Sequence, residues 1–150
     1  MADSWADLAS TYQKLDNVEE AEANYRHAIR LNPHNEDLYY VLSTMFLDHN
    51  QPDKAIEVIE EGLSENPDSI IMNITLATMY LEQGDYRQAE IFMKQAERID
   101  PDAPFVKMFS ELITTSKQNA ALTGPKFGRQ QKQTTALSAP KFSRQQKKKR

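Results

Sequence analysis

A period of 34 residues runs through the first two thirds of the chain. When residues 2–35, 36–69 and 70–103 are aligned, apolar residues, small residues and a closing proline share columns. The clearest columns are Leu8, Leu42 and Leu76; Tyr12, Phe46 and Tyr80; Ala21, Ala55 and Ala89; Ala28, Gly62 and Ala96; and Pro33, Pro67 and Pro101. Because such a period is typical of stacked repeats, we expect three similar units that bury a continuous core.

Each unit is predicted to contain two helices. In the first unit, Trp5, Leu8 and Tyr12 recur at spacings of three and four, and Ala21 and Tyr25 begin a second such pattern. The small columns lie between the large ones, which allows the two helices to approach closely. The predicted fold class is therefore all-α, with one helix-turn-helix per unit.

These residues resemble the tetratricopeptide repeat (TPR) family, whose 34-residue unit carries a W-x2-L-G-x2-Y, then A-x3-F, then P pattern. The matching residues of the first unit are Trp5, Leu8, Ala9, Tyr12, Ala21, Tyr25, Ala28 and Pro33. The third unit matches least well, since Asn73 stands in the column of Trp5. The resemblance covers residues 2–103 and implies a right-handed superhelical solenoid.

The two ends of the array are expected to differ. Pro104 suits a first helical position, and Phe105, Met108 and Phe109 follow at helical spacing, which predicts a capping helix over 104–118. At the other end only four residues precede Trp5. The outer face of the first unit is therefore expected to be exposed, unless the chain is a piece of a longer protein.

The charges divide the chain into an acidic body and a basic tail. All 22 acids lie at or before Glu111, and nine of the 18 Lys and Arg residues lie at or before Lys117, so the body has a net charge of −13. The other nine cations lie within residues 119–150, which contain no acid. That composition cannot bury enough apolar surface to fold alone, so we predict a disordered basic tail.

The tail contains nearly the same octapeptide twice, PKFGRQQK at 125–132 and PKFSRQQK at 140–147. The residues proposed to carry recognition are Lys126, Phe127, Arg129 and Lys132 in the first copy, and Lys141, Phe142, Arg144 and Lys147 in the second. An aromatic anchor with spaced cations is typical of a short linear motif. An acidic protein surface is the favoured partner, including the body of this chain or another copy; nucleic acid and an anionic membrane surface remain alternatives.

Little in the sequence favours catalysis. The chain has no cysteine, its three histidines form no constellation, and its four glycines form no phosphate-binding loop. We therefore expect a non-enzymatic protein that uses no metal, cofactor or small-molecule substrate. The N-terminus lacks the basic flank and apolar run of a signal peptide, and no apolar stretch reaches 18 residues, so a cytoplasmic location is expected.

The TPR resemblance also implies a binding surface, because the first helices of TPR units line a concave groove that usually takes an extended or helical peptide. The implied lining residues are Asp3, Ala6, Asp7 and Ser10; Asp37, Tyr40, Val41, Thr44 and Leu47; and Ile71, Ile74, Thr75, Thr78 and Leu81. The best-known variety grips a carboxylate with cations and asparagines at columns that here hold Ala6, Ser10, Val41, Ile71 and Thr75.

Without those clamp residues, the expected ligand is an apolar or amphipathic peptide with a basic flank. The predicted function is a protein–protein interaction scaffold or adaptor that uses the tail as a second attachment point. Two alternatives remain: self-association through the groove or the open end, and a nucleic-acid- or anionic-surface-associated protein that binds through its tail.

Overall fold

Residues 1–123, described by a computed structural model, form seven helices and no strand. The helices are α1 Ala2–Lys14, α2 Val18–Leu31, α3 Glu36–Asp48, α4 Pro52–Glu65, α5 Ile70–Glu82, α6 Tyr86–Ile99 and α7 over 104–123. The chain divides into two compact regions. The first, Met1–Ser110, contains α1 to α6 and the start of α7, and the second begins at Glu111. The predicted all-α class is confirmed.

The helix bounds repeat with the same period as the sequence. The first helices of the three pairs begin at residues 2, 36 and 70, and the second helices begin at residues 18, 52 and 86. Each turn within a pair contains one residue with positive φ: Asp16 at 59°, Asn50 at 57° and Gly84 at 79°. Gly, Asn and Asp tolerate this left-handed conformation best, so every pair has a residue type that its turn requires.

Side-chain caps begin four of the helices. Asn17, Asn35, Ser69 and Asp85 each accept a hydrogen bond from a backbone N–H in the first turn of the helix that follows. Each bond satisfies one of the donors that have no partner within the helix. At the start of α4, Pro52 takes the first helical position, where a missing N–H costs nothing.

The small columns of the repeat lie between packed helices. Ala21, Ala28, Ala55, Ala89 and Ala96 are all fully buried. Gly62, the exception in its column, faces a larger neighbour: a Cβ added there would lie 2.7 Å from Tyr39 Cγ and 2.8 Å from Met72 Cε. The second unit therefore needs glycine where the other two units carry alanine.

The outer face of α1 is exposed. Trp5 and Leu8 are 36% and 41% exposed, whereas Tyr39 and Leu42, one period later, are at most 1% exposed. The ring of Trp5 lies 4.1 Å from that of His27, so its own pair covers one side of the indole. At these two positions of the repeat, the side chains of the first repeat are therefore exposed and those of the second repeat are buried.

Helix α7 is longer than the capping helix predicted over 104–118. Residues 119–123, assigned to the tail from their composition, are helical. Ala120, Ala121 and Leu122 are strong helix formers, and Thr123 Oγ1 donates to the Asn119 carbonyl at 2.7 Å. The duplicated motif at 125–132 and 140–147 lies outside the described residues. Within residues 1–123, no helix is both long and apolar enough to cross a membrane.

Candidate functional site

A cavity of about 410 Å³ lies between α3, α5 and the start of α7. Its lining residues are Glu36, Asp37, Tyr40, Ile59, Ile71, Met72, Ile74, Thr75, Phe105 and Phe109. Tyr40, Ile71 and Phe105 are 51%, 62% and 44% exposed, whereas Ile59 and Met72 are buried. Large apolar side chains thus remain in contact with solvent around an opening whose inner wall is also apolar, an arrangement that indicates a binding site.

A second cavity of about 240 Å³ adjoins the first. The two share Tyr40, Ile74, Thr75 and Phe109, so they form one groove, which we call the α3–α5 groove. The second cavity adds Ser43, Thr44, Leu47, Thr78, Met79 and Glu82. The groove therefore changes from aromatic and aliphatic at one end to hydroxyl-rich at the other.

The threonines of the groove are oriented as acceptors. The hydroxyl of Thr75 donates to the Ile71 carbonyl at 2.8 Å, that of Thr78 to Ile74 at 2.9 Å, and that of Thr44 to the Val41 carbonyl at 2.9 Å. Each hydroxyl proton is thus engaged within its own helix, and the oxygen lone pairs remain for a ligand. A ligand rich in hydrogen-bond donors fits such a wall better than one rich in acceptors.

The charged residues of the groove point to the same preference. Glu36, Asp37 and Glu82 line the two cavities, and neither lining includes a lysine or an arginine. Glu36 Oε2 accepts from the Ser69 hydroxyl at 2.8 Å, which ties this carboxylate to the start of α5. Carboxylates only accept hydrogen bonds, so both charge and hydrogen-bonding capacity favour a cationic ligand.

The structure brings together eight of the residues predicted to line the groove, and six others lie outside the two cavities. The eight are Asp37, Tyr40, Thr44, Leu47, Ile71, Ile74, Thr75 and Thr78; the six are Asp3, Ala6, Asp7, Ser10, Val41 and Leu81. Asp3 and Asp7 are exposed on α1, and Val41 is 37% exposed on α3. Ile74 is only 7% exposed, so it belongs to the helix packing as well as to the groove wall.

Sequence reasoning missed the contribution of α7. Phe105 and Phe109 line the groove, although their spacing in the sequence indicates only the apolar stripe of a cap. Val106, which that stripe did not include, is fully buried, while Met108 is 57% exposed. Two phenylalanines four residues apart, directly after the last repeat, were the available signal, but periodicity does not show which side of the array a helix covers.

Among the described residues, the titratable groups with shifted pKa values line neither cavity. Burial and the carboxylates of Glu61 and Glu65 raise the pKa of Tyr39 to about 12; burial and a hydrogen bond to Glu60 raise that of Tyr80 to about 12. The Met45 carbonyl and the Asp16 carboxylate raise the pKa of His49. Within residues 1–123, no cluster of three or more His, Cys, Asp or Glu side chains is arranged to hold a metal ion.

The sequence also matches a known family. A family model described as tetratricopeptide repeat matches residues 14–71 and again residues 46–113. Together the two matches cover two thirds of the chain and contain every residue that lines the two cavities.

Two curated proteins are similar to parts of the chain. Pre-mRNA-splicing factor 6 of Saccharomyces cerevisiae is 30% identical over 90 residues, which are 59% of this chain and 10% of that protein. BBSome complex member BBS4 of Bos taurus is 30% identical over 95 residues, 63% of this chain and 18% of that protein. The chain thus spans less than a fifth of the length of either relative.

Solved structures share the fold at low sequence identity. The Arabidopsis OM64 TPR domain has a TM-score of 0.55 at 17% identity, covering 75% of this chain and 93% of that one. The type III secretion translocator chaperone SycD of Yersinia enterocolitica has a TM-score of 0.60 at 16% identity, covering 79% and 85%. SycD in complex with a peptide of the translocator YopD has a TM-score of 0.58 at 18% identity, covering 80% and 92%.

Proposed function

We propose that this chain, a member of the tetratricopeptide repeat family, is a protein-interaction scaffold whose α3–α5 groove binds a peptide segment. The bound segment carries an apolar or aromatic anchor beside one or more cations. The observation that supports this most is the cavity of about 410 Å³, which is walled by half-exposed apolar side chains and edged by carboxylates.

The size of the cavity suits one large anchor with part of its neighbouring backbone. A cavity of about 150 Å³ holds a benzene ring, so this one has room for an aromatic side chain and more. Covering the exposed parts of Tyr40, Ile71 and Phe105 would remove apolar surface from water and supply the main favourable term. The threonine oxygens and the carboxylates would then favour peptide N–H groups and cationic side chains.

A structural neighbour supports the choice of ligand. SycD shares this fold and has been solved in complex with a peptide of the translocator YopD. The proposal assigns no chemical step to the chain, since its candidate site offers apolar area and hydrogen-bond acceptors but no nucleophile paired with a base.

Peptide selection followed by substitution tests the proposal. We would select a display library of random 12-residue peptides against the full chain and measure the affinity of the recovered peptides by fluorescence anisotropy. Recovered peptides should combine an aromatic or aliphatic anchor with a nearby Lys or Arg. Ile71→Glu should weaken their binding about tenfold to a hundredfold, since an apolar contact of about 1.5 to 3 kcal/mol is lost.

A matched substitution on another helix provides the control. Ile91 lies on α6, is 44% exposed and lines neither cavity, so Ile91→Glu should leave the affinity unchanged. Both variants should keep the circular dichroism and melting of the parent, because each replaces an exposed or half-exposed side chain outside the core. Equal binding of the recovered peptides by Ile71→Glu and the parent, or recovery of mainly acidic peptides, would show that the groove is not the binding site.

A further inference from the structure

The chain itself carries a segment with the chemistry that the groove selects. Residues 125–132 read PKFGRQQK and residues 140–147 read PKFSRQQK. In each copy a phenylalanine follows a lysine directly and precedes an arginine by two residues, and residues 119–150 contain no acid. Each copy therefore offers one aromatic anchor between two cations, the pattern proposed above for the ligand.

We propose that this duplicated motif is a ligand of the α3–α5 groove, so that the chain's own C-terminal segment competes with any external peptide. The inference rests on the proposed peptide-binding function of the groove. It adds the identity of one ligand and a means by which the chain limits its own availability.

The anchor of the motif fits the apolar end of the groove. Phe142 or Phe127 would enter the cavity of about 410 Å³ and contact the exposed faces of Tyr40, Ile71 and Phe105. Contacts between aromatic rings add about 0.5 to 1.5 kcal/mol beyond the area that is buried. The larger part of the interaction is the removal of this apolar surface from water.

The cations of the motif fit the acidic edge of the same cavity. Glu36 and Asp37 line it beside Tyr40, and the hydroxyl oxygens of Thr75 and Thr78 add further acceptors along the groove. Lysine, arginine and glutamine, which make up most of the motif after its phenylalanine, all donate hydrogen bonds. Charge complementarity thus acts at the groove itself as well as between the net charges of body and tail.

The two copies differ in how far they can reach. Phe127 follows Thr123, the last described residue of α7, by four residues, and Phe142 follows it by nineteen. Fully extended, these lengths span at most about 14 Å and about 66 Å. The second copy has the longer reach, so we assign the role of ligand of the chain's own groove to Phe142.

Competition between added and tethered motif tests the inference. The probe is a fluorescein-labelled peptide of residues 137–147, titrated with the full chain and with its Phe127→Ala, Phe142→Ala double variant. An effective concentration on the order of 1 mM against a Kd of about 100 µM would weaken the probe's binding to the parent about tenfold. The double variant should bind the probe about tenfold more tightly than the parent, and Phe142→Ala alone should account for most of this gain.

The same titration identifies the site and excludes a purely electrostatic effect. Adding Ile71→Glu to the double variant should remove binding of the probe, whereas adding Ile91→Glu should not. A probe with Phe142 replaced by alanine, or one with a scrambled order of the same residues, should bind at least tenfold more weakly. Equal affinity of the parent and the double variant for the probe, or equal affinity for the scrambled probe, would overturn the inference.

The display-selected peptides separate this inference from the function on which it rests. If they bind in a manner that depends on Ile71 while the 137–147 probe neither binds nor displaces them, the groove binds peptides but the tail is not its ligand. If no peptide of either kind depends on Ile71, both proposals fail. Binding of the probe that ignores Ile71 but follows its charge would place the tail on another acidic surface and overturn the inference alone.

Discussion

His49 joins the first and second repeats through two hydrogen bonds. Its Nδ1 lies 2.7 Å from the Met45 carbonyl oxygen, and its Nε2 lies 3.0 Å from a carboxylate oxygen of Asp16. Only the protonated ring can donate from both nitrogens, so the backbone contact first, and then Asp16, raise the pKa of His49 above its usual value. The contact therefore contributes to stability below the pKa of the unfolded state and loses this contribution as the pH rises through the folded pKa.

Replacing the carboxylate partner of His49 tests this pH dependence. Asp16→Asn keeps a residue that tolerates the positive φ of this turn, but it should lower the pKa of His49 and reduce the fall in melting temperature between about pH 6 and 8. The measurement is an NMR titration of the His49 ring proton together with melting curves. Asp68→Asn, at an exposed position in another turn, is the control; an unchanged His49 pKa in Asp16→Asn would contradict the assignment.

The close contact of α3 and α4 leads to a prediction about how these two helices pack. Gly62→Ala would introduce the residue found in the other repeats and would raise helix propensity by about 0.5 to 1 kcal/mol. The new Cβ would lie 2.7 Å from Tyr39 Cγ, however, and overpacking of this kind costs about 1 to 3 kcal/mol. The net result should be a lower melting temperature, measured by circular dichroism.

Ser64→Ala provides the control, because it changes an exposed position on the same helix and removes only the hydrogen bond from the Ser64 hydroxyl to the Glu61 carbonyl. It should leave the melting temperature nearly unchanged. A midpoint that stays the same or rises in Gly62→Ala would mean that Tyr39 moves aside at little cost.

The arrangement of the six repeat helices could be predicted from the sequence because each column has one dominant requirement. An alanine such as Ala55 is needed where two helices approach, and a large side chain such as Leu42 is needed where the space between them must be filled. These requirements recur every 34 residues, so the same residue pattern occurs three times in the sequence. Asn73 departs from its column and is still buried, with its Nδ2 donating to the Ser69 carbonyl at 2.8 Å.

The candidate site could be predicted only in part. Residues of α3 and α5 follow from the column of the first helices, which is why Tyr40, Ile71 and Thr75 could be expected beside one another. Helix α7 has no repeated counterpart, so the side on which Phe105 and Phe109 lie depends on packing that no column encodes. Asp3 and Asp7 lie on α1, which contributes no residue to either cavity.

The charge distribution of the whole chain allows a test of whether the tail binds protein or nucleic acid. Residues up to 123 carry 22 acids and nine cations, and residues 124–150 carry nine cations and no acid. If RNA is contacted by all nine, the log of the affinity should fall against the log of salt concentration with a slope of roughly −6. Because we assign the motif to an apolar groove, we expect the full chain to bind a generic single-stranded RNA with a much shallower slope.

Filter binding of the full chain to the RNA between low and physiological salt gives this slope. The Phe127→Ala, Phe142→Ala variant, which keeps every cation, is the matched control and should bind RNA at least as well as the parent. A slope near −6 in the parent would favour the alternative in which the tail is a nucleic-acid contact and the repeats recruit other proteins.

The partly exposed side chains of Trp5 and Leu8 on α1 also determine where the chain opens most readily. In stacked repeats each unit is stabilised mainly by its neighbours, and Trp5 and Leu8 lack the cover that makes Tyr39 and Leu42 inaccessible. The amide protons of α1 should therefore exchange with deuterium through local opening at a lower free energy than those of α3. Any molecule that covers this face would slow amide exchange in α1 first. The exchange rates of α1 would therefore show whether another molecule packs against the first repeat.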